Sequence, residues 1–191
     1  MGPKFLATLV ASLALFATSS ALTVPEEGED GIYLAHVDEN GQEVHTKIAD
    51  LDPATSLNVT DAVAAAALDK RAINWPSGTY PTCVNLQWLG HWDFYDGGAW
   101  NYFYDACYDV GSQRFYNGDS LYSRYGSAVA YMCSYSNSGN PCNIQEWVDA
   151  VNWLAGTCSQ RNGGNMVSAY LTIPAWKKAY GYTTAGSGFC H

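Results

Sequence analysis

The run His91-Trp92-Asp93-Phe94-Tyr95-Asp96 gathers several side chains able to do chemistry into one short stretch. An imidazole near a carboxylate can relay a proton or hold a metal, which makes His91 and Asp93 a candidate pair. Asp93 and Asp96 together resemble the two carboxylates that flank a glycosidic bond during hydrolysis. Each residue also has a plainer reading. Asp96 precedes an apolar-periodic run and reads as a helix N-cap, and one histidine with two aspartates is an ordinary loop composition. Arg124, Arg161, Glu146 and His91 include the residue types of a small ribonuclease, but no spacing joins them. Asp105 and Asp109, four apart, fall on the polar side of the same helix. The sequence has no G-x-S-x-G elbow and no phosphate loop. No cofactor and no metal are expected. The balance is against catalysis, with Asp93, Asp96 and His91 retained as the alternative of a small cell-wall polysaccharide hydrolase.

Binding is the stronger expectation. Trp92 and Trp176 fall in predicted loops, where an indole can stack on a sugar ring or enter a partner's pocket. Trp147 lies on an apolar helical face and reads as core. A carbohydrate-binding module is therefore a third possibility.

The elements that must position these residues lie in the second part of a 191-residue chain. Residues 1–21 read as a secretory signal, with Lys4 as its basic start, an apolar run from Phe5 to Ala17, and Ser19 and Ala21 as small residues at a cleavage site. Leu22 to Arg71 holds eleven acidic residues against Lys47, Lys70 and Arg71. It contains no cysteine or tryptophan and ends in a dibasic pair. It reads as an acidic propeptide removed after Lys70-Arg71, with alternation over Gly31 to Ile48 that suggests strand. Asn58 is the acceptor of the N-x-S/T tripeptide Asn58-Val59-Thr60. Residues 72–191 then form the mature domain.

The formal charge of −9 argues against a nucleic-acid partner, which calls for a basic patch. No apolar run reaches the roughly 20 residues that span a bilayer. Cys83, Cys107, Cys133, Cys142, Cys158 and Cys190 all lie in the mature part. An even count in a small secreted domain reads as three disulfides, and the absence of close C-x₂₋₄-C pairs argues against zinc.

The patterning predicts a strand over Val84–Trp88 and a helix from Asp96 to about Val110 with Trp100, Phe103, Tyr104, Cys107 and Tyr108 on one face. A hairpin follows in 112–124, turning at Asn117-Gly118. Next come a strand in Gly126–Tyr135, a helix capped by Asn143 and Glu146, and strands Met166–Ile173 and Lys178–Thr183. The order is β-α-β-β-α-β with extra strands: an α+β split β-α-β sandwich, with an antiparallel sheet and both helices on one face. A 14-residue helix spans about 21 Å, too far for Cys142 and Cys158 to bond each other. Bonds from each helix end to the sheet would staple the layers.

Three pieces carry a resemblance: Gly126-Ser127-Ala128-Val129-Ala130-Tyr131, the helix between Cys142 and Cys158, and Tyr180-Gly181-Tyr182 through Cys190. They are similar to the second half of smut killer toxins and to related necrosis-inducing effectors. The signal, the Lys-Arg propeptide and Asn74-Trp75-Pro76-Ser77-Gly78-Thr79-Tyr80 just after it resemble small secreted fungal proteins. The resemblance implies a secreted, monomeric effector or toxin acting through a binding surface on a host or competitor cell. Its target would be a protein or a glycan. The resemblance assigns no site residue.

Overall fold

The computed structural model describes residues 21–51, 73–96, 98–159 and 166–190. Residues 1–20, Asn58, Lys70, Arg71 and Arg161 lie outside the described residues, so of the processing positions only Ala21 falls within them. The strands are β1 Leu22–Thr23, β2 Gly31–Val37, β3 Glu43–Ala49, β4 Tyr80–Trp88, β5 Arg114–Phe115, β6 Ser120–Tyr125, β7 Ala128–Ser134, β8 Asn140–Pro141, β9 Val167–Ile173, β10 Lys178–Thr184 and β11 Gly188–Phe189. The helices are α1 Ala99–Val110 and α2 Ile144–Leu154. Seven strands form one sheet in the order β3-β2-β6-β7-β10-β9-β4. Every neighbouring pair in it is antiparallel. The α+β architecture expected from the sequence is the one observed.

Side chains alternate across a strand with a period of two, and here both faces are used. Leu121 on β6, Ala130 and Met132 on β7, Leu171 on β9 and Tyr180 and Tyr182 on β10 point to the side that α1 and α2 cover. There they meet Trp100, Phe103, Trp147, Val151 and Leu154 from the helices. Trp147 is fully buried, with its ring 4.6 Å from that of Phe103. The intervening residues Tyr122, Val129, Tyr131, Cys133 and Ala179 form a second apolar layer on the opposite face. That layer is completed by Phe189 near the C-terminus and by Leu22, Val24 and Ala35 from the N-terminal acidic segment.

Residues 22–49 of this segment are thus part of the fold. Strand β2 pairs with β6 from Gly31↔Arg124 to Ala35↔Ser120, β3 pairs with β2, and β1 pairs with β11. The alternation noted over Gly31–Ile48 corresponds to β2 and β3.

Three local expectations differ from the structure. Helix α1 starts at Ala99, and its N-cap is Gly98, which makes no side-chain cap bond. Gly98 has φ 130°, and a Cβ there would lie 2.5 Å from Tyr102 Cε2. Asp96 belongs to a preceding π-helical turn, Trp92–Asp96, and does not cap the helix. The hairpin expected within 112–124 does not form, because β5 pairs with β8 and β6 with β7. Asn117-Gly118 does turn the chain, with Gly118 at φ 91° and Asp119 N donating to Tyr116 O. The capping box at α2 is half formed. Asn143 Oδ1 accepts from Glu146 N at 3.0 Å, but the Glu146 carboxylate turns to Lys178, and Asn143 N donates to the Tyr180 hydroxyl.

The disulfides are Cys83–Cys158, Cys107–Cys142 and Cys133–Cys190, leaving no free cysteine. Cys142 and Cys158 are not joined to each other. The far end of α2 is tied to the sheet through β4, as expected. Its near end is tied to α1 instead, because Cys107 faces α2 across the helical layer. The third bond fastens the C-terminal residues to the outer face of β7.

Candidate functional site

The turn Trp92–Asp96 is held by one buried residue. Phe94 is fully buried, with its ring 4.8 Å from those of Tyr95 and Tyr182 and 6.4 Å from that of Trp147. Its amide donates to Gly90 O at 3.0 Å. With Phe94 inserted, Trp92 faces solvent at 66% exposure, and His91 is exposed beside it.

The two aspartates diverge. Asp93 Oδ2 accepts from Ser127 N at 2.9 Å and from Ser127 Oγ at 2.7 Å, so it holds the two-residue turn Gly126-Ser127 between β6 and β7. A Cβ on Gly126, whose φ is 54°, would come within 2.7 Å of that same oxygen. Asp96 Oδ2 instead lies 3.2 Å from His91 Nδ1. The imidazole ring stands 5.0 Å from that of Tyr95. The expected pairings are therefore exchanged: His91 partners Asp96 rather than Asp93, and the two carboxylates are engaged with different groups.

Beside the His91–Asp96 pair runs an open groove of about 460 Å³, lined by Trp88, Leu89, His91, Tyr95, Ala155, Ser159 and Met166. Strand β4 supplies Trp88, which is half exposed at the sheet edge and sits opposite Val167 of β9. Leu89 N donates to Met166 O at 3.1 Å and so closes the floor. The turn that continues α2, Ala155–Ser159, forms the far wall and is fixed there by Cys158–Cys83. Burial pushes the Tyr95 phenol up to about 12, so it remains a hydroxyl at any physiological pH. The groove thus offers apolar surface and the His91 imidazole, whose partner Asp96 lies beside it.

Trp176 is elsewhere. Its ring is 5.7 Å from that of Trp75, which in turn is 6.3 Å from that of Trp153. It borders a second open groove of about 640 Å³ with Arg114, Glu146, Lys177, Lys178 and the 136–141 loop. Trp92 and Trp176 do not share a groove.

Of the ribonuclease-like set, the described members Arg124, Glu146 and His91 each take different partners. Arg124 donates to Pro25 O at 2.9 Å and to Glu26 O at 2.8 Å. Glu146 binds Lys178. Among the described residues, no three His, Cys, Asp or Glu converge as metal ligands, and no helix is long and apolar enough to cross a membrane.

Trp88 is the groove residue that sequence reasoning placed in a strand and did not select. The available signal was an indole at the last position of an alternating strand, where a side chain overhangs the sheet end. Met166 and Tyr95 carried no comparable signal.

No protein-family model, curated protein or solved structure matches this chain. The reading of the site rests on its own geometry.

Proposed function

We propose that this chain is a secreted protein that acts by binding, as a toxin- or effector-like product directed at the surface of a host or competing cell. The observation that carries this reading is the groove edge, where half-exposed Trp88 lies with exposed His91, its carboxylate partner Asp96 and the exposed Trp92. Aromatic side chains with a polar tip nearby suit a sugar ring or a partner's anchor residue. Glycoside hydrolysis calls for two carboxylates facing one bond, and Asp93 is occupied with the Ser127 turn. Three disulfides are consistent with an extracellular protein. The resemblance to smut killer toxins and necrosis-inducing effectors, proposed from the sequence motifs within 126–190 alone, points the same way.

The test applies purified protein to competitor cells and host tissue, alongside binding and turnover measurements on a panel of cell-wall polysaccharides. Growth inhibition or cell death that is lost in Trp88→Ala supports the proposal. Turnover of a polysaccharide that is lost in Asp96→Asn replaces it with a hydrolase. Sugar binding without effect on any cell replaces it with a carbohydrate-binding module.

A further inference from the structure

The acidic segment before Lys70-Arg71 is expected to be cut away, yet it is built into the sheet. We propose that residues 22–51 stay bound after cleavage as a non-covalent strand subunit, so that the processed protein is a two-piece molecule. This rests on the processing reading of Lys70-Arg71.

Three contacts carry the inference, on three parts of the segment. The first is strand pairing, with β2 paired along β6 from Gly31↔Arg124 to Ala35↔Ser120. The second is core. Leu22 at 3%, Val24 at 0% and Ala35 at 1% exposure complete the apolar layer over Tyr122, Val129, Tyr131 and Phe189. Among the described residues no helix covers that face, and the segment and β11 close it. The third is polar. The Arg124 guanidinium donates to the Pro25 and Glu26 carbonyls, Gly126 N donates to Asp30 Oδ1 at 2.8 Å, and the Tyr33 and Tyr122 rings stack 4.9 Å apart.

Cleavage itself is hydrolysis by a dibasic-specific protease. Water adds across the Arg71–Ala72 peptide bond, leaving a carboxylate on Arg71 and an amine on Ala72. In the sequence that bond falls between β3 and β4. All six cysteines lie beyond residue 71, so nothing covalent then joins the pieces.

The experiment uses the full secreted chain from Leu22. It is cut in solution at Lys70-Arg71, or at a protease site substituted for that pair if the pair resists. The product is run on gel filtration at micromolar concentration, with intact masses measured across the peak. Both fragments should co-elute under native conditions and separate in denaturant without reductant. Ala35→Asp, placed on the segment alone, should weaken retention at least tenfold while the 72–191 fragment keeps its disulfides and circular dichroism. Elution of the segment as a free peptide from the unsubstituted protein would overturn the proposal. The processing reading is judged separately, by the N-termini in culture filtrate. A sole N-terminus at Leu22 removes processing and leaves the docking result standing.

Discussion

Lys178 Nζ lies 2.7 Å from Glu146 Oε2, with the lysine side chain 2% exposed and the glutamate 14% exposed. The same ammonium donates to Pro141 O at 2.7 Å, and the Tyr180 hydroxyl donates to the same carboxylate oxygen at 3.0 Å. Helix α2 is thereby seated on β10 at its first turn. Removing one partner of a buried pair strands the other charge. Glu146→Gln should cost about 3–5 kcal/mol, whereas replacing both, Glu146→Leu with Lys178→Met, should recover most of that loss. Denaturant titration of the two variants checks the order.

Alkali should unfold the protein. Burial raises Tyr95 and Tyr135 to about 12, and Tyr131 and Tyr180 well above the ordinary phenol value. The folded state therefore keeps protons that the unfolded chain releases above roughly pH 10. This stability is complete below pH 10 and falls as pH climbs through 12. Lys178, pushed down by burial, acts in the opposite direction but is one group against several. Phenolate absorbance should rise together with loss of the near-ultraviolet circular dichroism. Phenolate appearing in an intact fold would contradict the burial of these rings.

The aspartates of the turn should separate by assay. Asp93→Ala removes the acceptor of two Ser127 bonds and should cost roughly 1–3 kcal/mol of stability. Asp96→Asn, at an exposed position, should stay within about 0.5 kcal/mol and act on groove binding alone. A large stability loss for Asp96→Asn would mean that the His91 pairing is structural.

Peptide mapping without reduction should return Cys83–Cys158, Cys107–Cys142 and Cys133–Cys190 and no free thiol. Each bond contributes roughly 2–4 kcal/mol, against a total of about 5–15 kcal/mol for a domain. Full reduction should therefore unfold the protein and abolish its action on cells. Action that survives reduction would point to a linear epitope.

N-terminal sequencing of culture filtrate should find two starts, Leu22 and Ala72, in equal amounts. A product that begins at Ala72 alone would show that the segment leaves, and one that begins at Leu22 alone that the pair is not cut.

The β-α-β-β-α-β order was legible because each long element carries its own period: Trp147, Val151 and Leu154 on one helical stripe, and Ala128, Ala130 and Met132 alternating with Val129, Tyr131 and Cys133. The exclusion of Cys142–Cys158 followed from helix length alone. Other features depend on partners distant in sequence. Asn117-Gly118 reads locally as a hairpin, but β5 has its partner at Asn140-Pro141. Asp96 has the composition of a cap, but Phe94 anchors a turn ahead of α1 and swings Asp96 toward His91. Glu146 has the spacing of a capping box and finds a lysine 32 residues away. Residues 22–71 read as an acidic propeptide apart from the mature domain because charge dominates their composition, although Gly31–Ile48 showed strand alternation. The few apolar residues that seat this segment, Leu22, Val24, Ile32 and Ala35, are too sparse to register as a core.

Strand β2 also masks a row of backbone donors and acceptors on β6. At the outer end of the sheet, β3 presents Lys47 paired with Glu29 and Asp50, charged groups of the kind that discourage another chain from adding on. A recombinant protein begun at Ala72 has neither. Its β6 edge is bare, six residues long and includes Leu121 and Tyr122. Such an edge pairs with its own kind. Preparations of that fragment should scatter light as they are concentrated, and added 22–51 peptide should clear them.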